Sequence, residues 1–236
     1  MATSGTADFN LTVYDVIVEA LELLTILAAG EEPSAEDVAS AKRSLNMMLK
    51  AWEASGIYLW TQTEDSFATV IGQAAYLFGA AGVKTYRPLR IISARYDMGG
   101  GNELPMRLIS RQEYFEYPLK STQGVSTTYY YDPQRSNGTL YLWPVPANVT
   151  TLRYTYVRAL EDAELNSNNL DMPQEWLETL AYNLAVRLAP KFGVAAIQSA
   201  ALIKADAAAK LEEARGWDHD PAPTELRPDY EWMGMR

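Results

Sequence analysis

Apolar residues recur along this chain with two different periods. Near the start, Val13, Ile17, Ala20, Leu21, Leu24 and Leu27 fall on one helical face, while Asp15, Glu19 and Glu22 fall elsewhere. That spacing predicts a helix over about 12–28, stopped by Gly30 and Pro33. Ser34 with Asp37 three positions on is an acidic variant of the capping box and predicts a second helix. Its stripe is Val38, Ala41, Leu45, Met48, Leu49 and Trp52, and Gly56 ends it. From 57 to 160 the period moves toward two. Leu152, Tyr154 and Tyr156 alternate with Arg153, Thr155 and Val157, and Leu140 and Leu142 alternate with their neighbours. Twelve of the fifteen tyrosines lie in this region, as suits strands, where aromatic pairs pack across a pleated surface. Gly99-Gly100-Gly101-Asn102 reads as a loop between strands, Asn137-Gly138 as a hairpin turn, and Pro144 with Pro146 as a second turn. Ser110 with Glu113 predicts a short helix within 110–117.

The helical period then returns. Pro173 is a favoured first helical residue, followed by the stripe Leu177, Leu180, Leu184 and Leu188, with Pro190 and Gly193 as the end. An alanine-rich helix is expected over about 194–215; its small side chains allow close approach of a neighbouring helix. Beyond it, Pro221, Pro223 and Pro228 forbid a regular helix, and Trp217, Leu226, Tyr230, Trp232 and Met233 are large apolar groups spaced along the segment. Such a segment is expected to bind a partner, because proline lowers the entropy lost on ordering and aromatic anchors fill pockets. The fold class expected is α+β. A helical bundle body of residues 1–57 and 170–215 carries a mostly antiparallel β insertion at 58–169, and an extended arm follows at 216–236.

Composition narrows the chemistry. A net charge of −10 argues against a freely diffusing DNA-binding protein, whose affinity comes from neutralising phosphates. With no cysteine and a single histidine, His219, one subunit cannot build a disulfide, a thiol nucleophile or a His-rich metal site. No cofactor or metal is expected. The start, MATSGTADFNLT, lacks the basic region of a secretory signal, and Asp15, Glu19 and Glu22 interrupt the first apolar stretch. We therefore expect no membrane anchor and a life in a reducing cytoplasm. The sequons at Asn10, Asn137 and Asn148 then carry no sugar.

Three stretches bear a likeness to a known family. Leu45-Asn46-Met47-Met48-Leu49-Lys50-Ala51-Trp52, with Gly56 and Leu59-Trp60 after it, resembles a Leu-Asn-x-x-Leu-x-x-Trp helix. Asp171-Met172-Pro173-Gln174-Glu175-Trp176, leading into 182–188, resembles a second signature helix, and 140–156 resembles a strand–Pro-x-Pro–strand element. All three occur, in the same order, in the head-to-tail adaptors of short-tailed phages, the tail accessory factors or packaged-DNA stabilisation proteins, which are related to tail tubular protein A. The resemblance implies a structural virion protein rather than an enzyme. It implies a ring, dodecameric in the family, that sits in the neck beneath the portal protein. Such a ring extends the DNA channel, helps retain packaged DNA and offers a platform to a tail nozzle or other tail proteins. It would be assembled in the host cytoplasm, with DNA passing through without sequence-specific binding. It also implies that the arm, with Trp217, Leu226, Tyr230, Trp232 and Met233, reaches the portal or a neighbouring subunit. Asn46, Trp52, Gly56, Trp60, Pro173 and Trp176 are read as structural.

Two other classes compete. Glu161, Asp162 and Glu164, or Glu31 and Glu32, could supply a carboxylate pair to a peptidoglycan-cleaving virion enzyme, although acidic residues beside turns are more often solvated. A tail-tube or assembly protein is the other class. Lys84, Arg87, Arg90, Arg95, Arg107 and Arg111 form a basic region that we read as surface pairing with Asp97, Glu103 and Glu113. Gly99–Gly101 is a poor phosphate loop, because no Lys-Ser/Thr follows.

Overall fold

The structure is a computed structural model and describes residues 5, 6, 8–57 and 59–218. The first helix, α1 (Val13–Leu23), opens on a reciprocal cap, with Thr12 Oγ1 accepting from the Asp15 N–H and the Asp15 carboxylate accepting from the Thr12 N–H. It is shorter than its apolar period suggests. Thr25 takes φ +57°, a conformation that reverses the chain, so Leu27 packs from a turn rather than from the helix. Ser34 caps α2 (Ala35–Ala54) through the Asp37 N–H, and Gly56 lies just past its end at φ +94°.

The β region follows: β1 (Gln62–Ala68), β2 (Ala75–Phe78), β3 (Arg90–Asp97), β4 (Glu103–Leu108), the short α3 (Arg111–Glu116), β5 (Gln123–Gly124), β6 (Thr128–Pro133), β7 (Gly138–Trp143), β8 (Val145–Pro146) and β9 (Thr151–Val157). Seven strands form one sheet in the order β1-β9-β3-β4-β6-β7-β2. Every neighbouring pair is antiparallel except β4 with β6. β5 and β8 form a separate two-stranded parallel pair. The three glycines between β3 and β4 all take positive φ, which lets Met98 N–H close the loop onto Asn102 O. Gly138 differs from the turn role expected of it. It is a strand residue opposite Pro133, and its missing side chain makes room for the Tyr131 phenol, which a Cβ would strike.

Pro173 caps a 3₁₀ turn (Gln174–Trp176) that runs into α4 (Leu177–Leu188), so the helix proper starts later than the proline. A second 3₁₀ turn (Ala189–Lys191) and Gly193 at φ +90° lead to α5 (Val194–Trp217), which runs through Gly216 and ends two residues past the expected stop. The class is α+β, with five α-helices and a large antiparallel-rich sheet among the described residues. α4 packs against α1, α2 and α5, and their apolar faces share one core. A second core lies on one face of the sheet, around Phe67, Tyr76, Phe78, Tyr129, Tyr131 and Tyr154. Tyr130 points to the opposite face, as the two-residue period demands, and joins Ile109 and Tyr114 of the α3 region.

Candidate functional site

Three signature residues meet. Trp176 is buried between Trp52 and Trp60, with ring centroids 5.7 Å and 5.3 Å away and the rings tilted. Trp60 is only part-buried, and its indole N–H donates to Asp171 O at 3.1 Å. Trp60, Pro173, Glu175 and Trp176 line a shallow, mostly apolar depression of about 310 Å³, and Trp217 and Asp218 at the end of α5 line its other side. Trp217 is 75% exposed. The fold thus brings the first aromatic group of the expected arm to the signature cluster. Leu226, Tyr230, Trp232, Met233 and His219 lie outside the described residues.

Asn46 is not in this cluster. Its amide donates to Ala163 O at 3.1 Å and accepts from the Ala163 N–H at 2.8 Å. Other α2 side chains hold the same segment. Lys50 donates to Leu160 O, Glu53 accepts from the Leu160 N–H, and Lys42 donates to Glu164 O. Residues 42, 46, 50 and 53 share one side of α2, so the helix supplies hydrogen bonds that this non-strand backbone lacks. Nearby, the two Arg158 terminal nitrogens bind the Asp171 carboxylate, one of them at 2.7 Å. Burial pushes the Asp171 carboxyl up. The Arg158 hydrogen bonds, the Glu161 N–H and the charges of Arg158 and Lys50 outweigh it, and the group sits below the ordinary carboxylate value. This grip on 158–171 also holds the Asp171 carbonyl that accepts from Trp60.

In the sheet a polar cluster that sequence reading missed is closed by tertiary structure. Tyr86 donates to Asp65 Oδ2 at 2.6 Å, Lys84 donates to Asp65 Oδ1 at 2.7 Å, and the Tyr86 and Tyr154 hydroxyls lie 2.7 Å apart. Burial, then hydrogen bonding to Asp65 and the neighbouring phenols, drives the Tyr86 hydroxyl far above the ordinary phenol value. Asp65 is pushed up by burial, but the Lys84 and Tyr86 hydrogen bonds, the Ser66 N–H and the Lys84 charge leave it below its ordinary value. Each proton has a partner, which describes a structural tie and not a poised acid or base. The one sequence clue was Asp65 amid strand residues.

Half of the basic region, Lys84, Arg95 and Arg107, resolves into ion pairs. Arg95 meets Glu64 and Glu103, Glu103 also takes Arg153, and Arg107 meets Glu113. Lys84 goes to Asp65, Arg111 lies over Phe115 at 5.7 Å, and Asp97 instead accepts from the Gly99 N–H. Among the candidate catalytic carboxylates, Asp162 pairs with Lys50 at 3.0 Å and Glu31 accepts from the Ala28 N–H. Glu161, Asp162 and Glu164 line an open groove along the segment that α2 holds. Among the described residues no cluster of three or more histidine, cysteine or acidic side chains could hold a metal, and no helix is long and apolar enough to cross a membrane.

Comparison with known proteins places this geometry in context. The family model of the SU10 adaptor protein matches residues 11–227, from the cap of α1 through the whole sheet and α5. Leu226 falls inside the match, and Tyr230, Trp232 and Met233 fall beyond it. None of the curated proteins matches the chain.

Proposed function

The chain belongs to the SU10 adaptor protein family, and from that premise we propose that it is the head-to-tail adaptor subunit of a phage virion. A structural adaptor of a phage particle is what the family itself indicates, with portal and tail proteins as its partners. The finer reading is ours. Copies form a ring, dodecameric by family resemblance, in the neck beneath the portal. The ring lengthens the DNA channel, helps to hold packaged DNA and seats the tail proteins. Its helical body makes the ring, and the arm from Trp217 onward attaches it to the portal or to a neighbour.

The single observation that carries this reading is the family match across nearly all the described elements. The aromatic depression supports the arm's role. Exposed Trp217 stands beside Trp60 and Trp176 where the chain leaves α5, and apolar groups so placed favour burial against protein. The acidic balance fits a channel that does not grip phosphate. Native mass of the purified protein, alone and mixed with its cognate portal ring, tests the proposal. A discrete gain of one copy per portal subunit is expected. A well-folded protein that never associates would sink it. Replacing Trp217, Tyr230 and Trp232 together by alanine should weaken portal attachment and leave the helical circular dichroism unchanged; normal attachment would remove the arm from the account.

A further inference from the structure

The outward sides of α2 and α5 carry matching chemistry. α4 packs against both helices, so each turns one side away from it. On α5, Ala196, Ala200, Ala207 and Ala214 are buried, and the opposite side presents Val194, Ala201, Leu202, Ala205 and Ala209. Val194 is 72% exposed and Leu202 82%. Large apolar groups on the water side of this ridge of about four turns, which only Gln198 interrupts before Ala209, call for a partner. Asp206 and Glu213 run along the same ridge, two helical turns apart, and neither enters a hydrogen bond or ion pair among the described residues.

On α2 the outward line is Arg43, Met47 and Lys50, with Met47 53% exposed. Arg43 and Lys50 have the same separation as Asp206 and Glu213. Met47 lies between the cations as Ala209 lies between the anions. Lys50 already donates to Leu160 O and is shared between Asp162 and Glu53, so Arg43, whose guanidinium has no partner among the described residues, is the cation this face leaves free.

We propose that the outer face of α5 in one copy docks on the outer face of α2 in a second copy. Met47 seats against Ala209, and Arg43 and Lys50 face Asp206 and Glu213. The small residues of α5 let the helices approach closely, and methionine adapts to the shallow groove they leave. Equal spacing lets both charge pairs form whichever way the helices run. Because the two faces differ, the contact is heterologous, and its repetition yields a ring or filament rather than a closed dimer. This proposal rests on the ring reading above and names the surface that would build it.

The native chain has no cysteine, which makes cross-linking clean. A Met47→Cys chain and an Ala209→Cys chain are mixed under mild oxidation, free and on the cognate portal ring. A mixed dimer is expected, with none from either chain alone, and the double variant should give a ladder. Arg43→Glu should slow cross-linking roughly threefold to tenfold, and reversing only the acid that faces position 43 in the partner chain, with Asp206→Arg and Glu213→Arg tried singly, should restore it. Rings that assemble by native mass yet never cross-link, or Met47→Cys chains that pair with themselves, would overturn the contact and leave the ring reading standing. No assembly in either state would end both.

Discussion

Around α4 the buried residues are mostly leucine, valine and alanine, with tryptophan at one end; inside the sheet they are mostly aromatic. The aliphatic core asks only for area and fit, so its stability comes from shape and from water excluded. The tyrosine core must also satisfy hydroxyls. Tyr129 donates to Ile92 O, Tyr131 to Pro88 O, and Tyr76 binds both the N–H and O of Val70. These bonds run from the core to strand edges and loops, so the sheet's interior also fixes its connections. One core is held by packing, the other by packing plus protons that can be titrated.

That difference predicts the largest effect, in alkali. Burial pushes the Tyr129 and Tyr131 phenols up to about 12 from the ordinary 10 and raises Tyr154 further. A folded-state pKa raised in this way gives stability that is complete below pH 10 and lost as pH rises through the folded values. Tyrosinate absorbance should therefore appear late and cooperatively near pH 12, together with loss of sheet circular dichroism. Fluorescence from Trp52, Trp60 and Trp176 should persist longer. Simultaneous loss of both signals would make the two cores one cooperative unit. Next in size is Trp176→Ala, which empties the centre of the tryptophan cluster and should cost about 3–5 kcal/mol in denaturant unfolding, leaving the phenol titration of the sheet in place.

A smaller loss, about 1.5–3 kcal/mol, is expected for Asp171→Asn, which removes a charge-assisted tie to Arg158. Its pH dependence has the opposite sign to that of the phenols. Asp65 and Asp171 are both lowered, so their contribution is present above the ordinary carboxylate value of 3.8 and fades as pH falls through their folded values. Acid unfolding of the Asn variant should accordingly be flatter over that range. Asn46→Ala is the mildest, at about 1–2 kcal/mol, because the freed Ala163 peptide recovers part of its bonding from water. Faster amide exchange across 160–166 would identify it.

Much of the local architecture was written in short-range pattern. Ser34 with Asp37 and Ser110 with Glu113 cap the helices they announce, and the three glycines close the loop onto Asn102. Where local signals misled, the cause was a longer-range demand. The apolar period of α1 continues past its end because Leu27 packs on the same core from a turn. Asn137-Gly138 does mark the β6–β7 hairpin, but the turn is 134–137 and Gly138 opens the strand, where glycine is needed beneath Tyr131. The aromatic cluster was half legible, since Trp52, Trp60 and Trp176 stood out in their motifs. That they touch one another, and that Trp217 stands at the same depression, no spacing could say.

By itself the sequence determined the helix periods, most caps, the change to strands, the lack of thiol chemistry, and the resemblance that the family match bears out. Each of these depends on bonds and faces within a few residues of one another, or on composition. Only the tertiary structure decided the parallel β4–β6 pairing, the Asp65–Tyr86–Tyr154 tie and the hold of α2 on 160–166. Those join groups up to more than a hundred residues apart, and which of many polar or aromatic residues meet is settled by how the cores pack, not by the order in which the residues appear.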